Sequence, residues 1–155
     1  MALFLSTFNN KIDSKGRVSV PSQFRAALSG NNFAGVVVYE SFTNKCIEGC
    51  DLSRIANLSE SIDNLDPFSE IRDAFATTIL GSAVQLPFDG DGRIILPAKL
   101  IKLAQIDKKA IFVGKGKTFE IWQEDNFEIH SRQARQAAKE QRNLLKILKN
   151  EKSND

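Results

Sequence analysis

Two arginines stand out by their setting. Arg17 follows a glycine and sits four residues after an aspartate in Asp13-Ser14-Lys15-Gly16-Arg17, and Arg93 does the same in Asp89-Gly90-Asp91-Gly92-Arg93. A guanidinium just past a tight turn is a planar fork on a rigid stem. It can take a phosphate, or the O6/N7 edge of guanine, through two parallel hydrogen bonds. The aspartate four residues back can pair with it to stiffen the turn, or orient it for a second partner, and the two roles are compatible. Lys11, Lys15 and Arg25 add charge around the first turn against the single Asp13. Around the second, Arg93, Lys99 and Lys102 are set against Asp89 and Asp91. Asp91 replaces Lys15 and places an anion beside Arg93.

Other chemistries find little support. Gly114-Lys115-Gly116-Lys117-Thr118 has the ending of a phosphate-binding loop, but Ile111 stands where that motif needs its first glycine. The stretch also leads into the β-biased Phe119-Glu-Ile-Trp122, so a solvated hairpin turn is the better reading. His130 is the only histidine and belongs to a long helical pattern away from either aspartate-rich turn. No serine or cysteine has a partner base at readable spacing. Asp89 and Asp91 lack the loop length and terminal glutamate of an EF-hand. Cys46 and Cys50 lack further ligands for zinc and are too few for a disulfide framework. The sequence gives no reason to expect catalysis, a metal or a cofactor.

The elements that carry the two turns repeat. Asp, Gly, Arg and Pro recur at identical offsets in Asp13–Pro21 and Asp89–Pro97, and only two copies exist, which reads as a duplicated half-domain. Pro21–Leu28 matches Pro97–Ala104 as a short helix opened by proline at its first position. Gly35–Tyr39 matches Ala110–Val113 as a buried strand. Each unit is therefore strand, tight polar turn, strand, short helix, strand. Gly16 and Gly92 supply the positive φ of the turn. Asp13 and Asp89 fix its shape by accepting from the backbone two residues on.

Around these units the periodicity predicts an opening strand within residues 2–12, with Phe4, Phe8 and Ile12 at even spacing, and a short strand over Cys46–Gly49. A helix capped by Asp51 runs to about Leu65. A second starts with Asp66 as cap and Pro67 as first residue, runs to about Leu80, buries Phe68, Ile71, Phe75 and Ile79, and closes at Gly81. The last strands are 110–114 and 118–123. A long helix then runs from about Glu124 to Lys149, with an apolar stripe of Ala134, Ala138, Leu145 and Leu148 interrupted by Gln141. Its basic residues Arg132, Arg135, Lys139, Arg142, Lys146 and Lys149 share one neighbouring face, and Ser153–Asp155 fray. The resulting division is 1–50 first half, 51–81 two-helix insertion, 82–123 second half, and 124–155 C-terminal helix.

Composition agrees with a globular protein: 155 residues, 42% hydrophobic, 26% charged. No apolar run approaches the roughly 18 residues of a membrane span, and the start has no basic n-region or cleavage site, which speaks against export and for the cytoplasm. The net charge of +2 conceals an asymmetry. From His130 onward there are seven Lys/Arg against three Asp/Glu, which leaves 14 against 16 in the body. A nucleic-acid contact in the body must therefore come from local clusters and not from a bulk field.

The paired Asp-x-x-x-Arg turns, the stretch Ile71-Arg-Asp-Ala-Phe-Ala-Thr-Thr-Ile-Leu-Gly81 before the second, and Gly114 followed by Phe119-Glu-Ile-Trp122 together resemble the MraZ family, from about Phe8 to Phe127. The resemblance implies an α+β fold, a duplicated AbrB-like swapped-hairpin β-barrel with peripheral helices. It implies a cytoplasmic, nucleoid-associated transcription factor that binds double-stranded DNA. The targets would be short G-rich direct repeats in its own promoter, upstream of the division and cell-wall gene cluster, bound by a ring-shaped homo-oligomer. In that family the Asp-x-x-x-Arg turns face DNA, and both copies match here. Lys11, Lys15, Arg17, Arg25 and Arg93 are then the DNA-binding candidates, with Asp13, Gly16, Asp89 and Gly92 fixing the turns. The alternatives are an antitoxin-like AbrB DNA-binding protein and, from another class, an assembly scaffold that binds no DNA.

Overall fold

Strand-period alternation and short proline-headed helices build the two repeated halves. The structure, a computed structural model, describes residues 2–30 and 32–146, so the expectations for Leu148, Lys149 and Ser153–Asp155 lie outside the described residues. The chain divides into two units, Met1–Glu124 and Asp125–Asp155.

The first half supplies β1 (Thr7–Lys11), β2 (Arg17–Ser19), α1 (Ser22–Leu28), β3 (Gly35–Glu40) and β4 (Ile47–Cys50). Two helices follow, α2 (Leu52–Asp63) and α3 (Glu70–Phe75), the latter widening into a π-turn over Ala76–Leu80. The second half supplies β5 (Val84–Pro87), β6 (Arg93–Ile95), α4 (Ala98–Ala104), β7 (Lys109–Gly114) and β8 (Phe119–Trp122). Pro21 and Pro97 serve as N-caps and not as first helical residues. Their ψ of 138° is extended, and their carbonyls accept the first helical N–H groups.

The halves exchange strands. All ladders are antiparallel, and the order β1-β7-β8-β4-β3-β5 makes one six-stranded sheet. Thus β1 of the first half lies on β7 of the second, while β5 of the second lies on β3 of the first. The remaining strands, β2 and β6, pair as a two-stranded ribbon. At its centre Val18 opposes Ile94, the equivalent position in the repeat, so a pseudo-twofold axis passes between them. These two side chains are fully buried and face the core, as do Val20 and Leu96. Phe24 of α1 fills the middle of that core, with Phe4, Phe8, Phe112 and Phe119 ringed around it at centroid distances of 5.1 to 6.2 Å.

The exchanged pairing is the swapped arrangement that the family resemblance implies, but the strands do not close into a barrel. Among the described residues β1 and β5 are sheet edges, and beside β1 the ribbon forms no ladder, only the isolated bridge Ile12–Val18 and a bond from Asn10 Nδ2 to the Ser19 carbonyl at 2.7 Å. Only three residues separate each turn glycine's neighbour from the next proline, and proline cannot donate to a ladder, so β2 and β6 stop too soon to zip further.

Two helix expectations need correction. Asp66 does not cap a helix begun by Pro67. Its Oδ1 accepts from the Phe68 N–H at 3.0 Å, and its carbonyl from the Ser69 N–H at 3.0 Å, closing a turn first. Ser69 then caps α3 by accepting from the Arg72 N–H. Phe68, expected inside, sits on that turn 95% exposed, and Ile71 is 55% exposed. In the second unit the long helix α5 (Glu124–Glu140) ends nine residues short of expectation, followed by a 3-10 turn over Arg142–Leu144. Every residue from Ser131 to Glu140 is exposed. Helices are held mainly by packing of an apolar face, and past Ala138 the stripe meets Gln141. Arg132, Arg135 and Lys139 remain on α5, but Arg142 and Lys146 leave its face.

Candidate nucleic-acid interface

Each turn is a closed knot of hydrogen bonds on one carboxylate. Asp13 Oδ1 accepts from the backbone N–H groups of Lys15 and Arg17, both at 2.9 Å, and Asp13 Oδ2 accepts from Arg17 Nε at 2.7 Å. In the second turn Asp89 Oδ1 accepts from Asp91 N–H at 2.8 Å and Arg93 N–H at 2.9 Å, and Oδ2 from Arg93 Nε at 2.9 Å. Gly16 and Gly92 carry φ of +84° and +75°. Both expectations for the turns hold: glycine supplies the positive φ, and aspartate accepts two residues on.

The carboxylates respond to this. The Asp13 carboxyl is held below its ordinary range, first by the Arg17 backbone N–H and then by the Arg17 side chain. Asp89 is lowered chiefly by the backbone N–H of Arg93. Arg93 in turn is held more firmly protonated, above all by its bond to Asp89.

How each aspartate grips its arginine decides what the arginine can still do. Asp13 takes Arg17 by Nε, so among the described residues its two terminal nitrogens are uncommitted. That pair is the edge that forks onto a guanine or a phosphate. In the second turn Asp91 Oδ2 lies 3.4 Å from Arg93 Nη2 and engages part of the same edge.

Strand exchange brings the two turns onto one surface. Arg17 opposes Ile95 and Ser19 opposes Arg93 across the ribbon. With Val18 and Ile94 facing the core, these four lie together on the outer face. Each turn is also locked to the other half: the Val20 N–H donates to the Gly92 carbonyl at 3.1 Å, and the Leu96 N–H to the Gly16 carbonyl at 2.8 Å.

The remaining candidates distribute differently from their places in the sequence. Lys15 sits exposed at the tip of the first turn. Lys11 ends β1 opposite Lys109 of β7 and forms a small basic pair at the sheet edge. Arg25 does not join the first turn. Its Nε donates to the Val20 carbonyl at 3.1 Å, and a Cβ added at Gly92 would come within 2.7 Å of its guanidinium. It therefore covers the second turn, while Ile101 of α4, its counterpart in the repeat, abuts Gly16 of the first. The exchange moved the cation to the turn that carries Asp91. Ser19 and Ile95 were missed as members of this face. Their alternation with Val18 and Ile94 was the available signal.

The other motifs are structural. Gly114–Thr118 is a hairpin turn between β7 and β8, with the Lys115 N–H donating to the Thr118 carbonyl at 2.8 Å and Lys115 Nζ 3.7 Å from Glu120. Cys46 and Cys50 are buried free thiols. Burial pushes both up, Cys50 to about 12. Among the described residues no group of three His, Cys, Asp or Glu side chains is placed to hold a metal ion, and no helix is long and apolar enough to cross a membrane.

A family model described as "MraZ protein, putative antitoxin-like" matches residues 3–65 and 79–147, one segment for each half. Among curated proteins, the "Transcriptional regulator MraZ" of Rickettsia akari (strain Hartford) is 54% identical over 146 residues, 94% of this chain and 98% of that one. Those of Rickettsia bellii (strain OSU 85-389) and Rickettsia rickettsii (strain Sheila Smith) are 52% and 53% identical with the same coverage. A likeness of this depth, held over nearly the full length of both chains and falling on both halves of the repeat, leaves one conclusion: the chain belongs to the MraZ family.

Proposed function

We propose that this chain is a sequence-specific DNA-binding regulator of transcription that presents the outer face of the β2–β6 ribbon to the major groove. A two-stranded β-ribbon fits that groove. The observation that carries the reading is the gathering of both Asp–Arg turns on one ribbon, with Arg17 held by Nε so that its terminal nitrogens have no partner among the described residues. Arg17 and Arg93 read bases. Lys15 and Arg25 contact phosphate beside the first and second turns respectively, and Lys11 adds backbone attraction from the sheet edge. Asp13, Gly16, Asp89 and Gly92 hold the turns. Membership of a family of transcriptional regulators makes the protein a non-enzyme.

The finer reading rests on the family resemblance. The protein works in the cytoplasm on the nucleoid, without a cofactor, as a ring-shaped homo-oligomer of AbrB-like halves. It binds short direct repeats in its own promoter, ahead of the division and cell-wall gene cluster. Its organisation is two halves, 1–50 and 82–123, with an insertion at 51–81 and a C-terminal helix in 124–155. Repeated weak contacts on a closed ring gain effective concentration without new contacts. Footprinting on DNA upstream of the protein's own gene tests the reading. Periodic protection that is lost in Arg17→Ala is expected, and the absence of protection at low salt would overturn it. The family description also supports an antitoxin-like DNA-binding protein, which a co-purifying toxin would favour.

A further inference from the structure

The pseudo-twofold ribbon is symmetric in backbone but not in the side chains it shows. Position 19 of the first copy is serine, and its equivalent in the second is Ile95. Ile95 is 60% exposed, although it lies next to the fully buried Val18–Ile94 pair. Its cross-strand partner is Arg17. The ribbon's hydrogen bonds show how close that partnership is. Gly16 and Leu96 are joined by one backbone bond, and Val20 and Gly92 by another. In an antiparallel ladder the bonded and non-bonded pairs alternate, so Arg17/Ile95 and Ser19/Arg93 are both non-bonded pairs. In such pairs the side chains approach most closely, with Cα atoms roughly 4.5 Å apart.

A branched aliphatic side chain beside an uncommitted guanidinium fork presents two kinds of recognition on adjacent atoms. The fork suits the acceptors of guanine. The aliphatic group suits the one apolar feature in the major groove, the C5-methyl of thymine. Arg93 has no such neighbour, since Ser19 stands beside it and Asp91 engages its Nη2.

We propose that Ile95 is a specificity-determining residue, which contacts a thymine methyl next to the base taken by Arg17 and so gives a pseudo-symmetric ribbon a direction along DNA. The proposal rests on the DNA-binding reading above and adds to it which bases flank each arginine. A thymine-adjacent guanine is preferred at the Arg17 edge, and no methyl preference exists at the Arg93 edge.

The test uses the full-length protein and the segment of its own upstream DNA that it protects in footprinting, synthesised once with thymine and once with uracil, which removes only the methyl groups. The wild-type protein should bind the uracil duplex more weakly, by about fourfold for each engaged methyl, the value of one buried methyl-sized group. Ile95→Ser should lose a similar factor on the thymine duplex and show no further loss on uracil. Ile95→Val should keep most of the thymine preference. Equal urea midpoints and equal oligomer size for the three proteins show that the fold is not the cause. Wild type binding both duplexes equally overturns the inference and leaves the DNA-binding reading intact. So does an Ile95→Ser protein that keeps the full uracil penalty. A wild-type protein that protects no upstream DNA takes both down.

Discussion

Replacing the two turn glycines with alanine separates the two roles of the turns. Alanine at Gly16 must adopt a φ of +84°, a left-handed conformation that costs about 1–2 kcal/mol. Its Cβ would also lie 2.7 Å from the Leu96 carbonyl oxygen, which is backbone and cannot rotate away. Relief requires the ribbon to part where the Leu96 N–H bonds the Gly16 carbonyl at 2.8 Å, at a further cost of about 1 kcal/mol. Gly16→Ala should therefore destabilise by about 2–3 kcal/mol, a fall of about 1 M or more in urea midpoint. At Gly92 the φ of +75° carries the same conformational cost, but the atoms in the way are the Arg25 guanidinium, the far end of a flexible side chain. Arg25 can swing out and exchange its bond to the Val20 carbonyl for water. Gly92→Ala should cost only about 1–2 kcal/mol, while displacing a cation from the second turn and lowering DNA affinity. Gly90→Ala, where an added Cβ meets nothing, serves as the control. Urea melts at one protein concentration give the stabilities, and anisotropy titrations in wild-type and Arg25→Ala backgrounds give the coupling. Equal destabilisation at Gly16 and Gly92 would refute the steric argument. A Gly92→Ala affinity loss that persists undiminished without Arg25 would refute its route.

Three further outcomes follow from the same geometry. Arg17→Ala should lose more operator affinity than Arg93→Ala, roughly tenfold to a hundredfold per engaged site, because Asp91 already engages Arg93; Asp91→Lys should raise affinity and steepen its salt dependence. Asp13 and Asp89 have folded pKa values below the ordinary 3.8, so the stability they confer is complete above that pH and is lost as pH falls through the folded values. The urea-midpoint difference between wild type and the Asp13→Asn/Asp89→Asn variant should stay level above about pH 5 and shrink below pH 3.8, and a difference that stays constant to pH 2.5 would contradict this. If ring and direct repeats act together, gel shifts should show affinity rising steeply with the number of boxes spaced by one helical turn, roughly 10 bp. A half-turn insert should remove most of that gain, and indifference to phasing would mean that the protomers bind independently.

Much of the site was legible because its parts are local. An aspartate, a glycine and an arginine at offsets of zero, three and four set the turn, and the carboxylate's bonds all stay within five consecutive residues, 13–17 in one copy and 89–93 in the other. The α2 helix was equally local, with Asp51 accepting from the Arg54 N–H as a cap should. What failed was whatever depended on partners distant in sequence. Arg25 follows the first turn in the chain and so was grouped with it, but strand exchange carries it to Gly92. A repeat shows that two halves are alike without showing which half each strand will pair with. Phe68 failed for another reason: the Asp66 side chain competed for the Phe68 N–H and delayed the helix to Ser69.

The exchanged ladder has a consequence for how the chain comes into being. Thr7 is paired in its ladder with Val113, and Arg17 in its ribbon with Ile95. A nascent chain that has emerged through β4 thus holds four β-strands, β1 to β4, each with a cross-half partner not yet made. Contacts so distant in sequence close late and slowly, because loop entropy must be overcome before they form. Until then the exposed edges of one nascent chain can be satisfied as well by the second half of a neighbour as by its own. Crowding several chains on one messenger therefore favours intermolecular exchange. The first half expressed alone would have only another first half to answer it, and should appear as a dimer closed through Val18 against Val18.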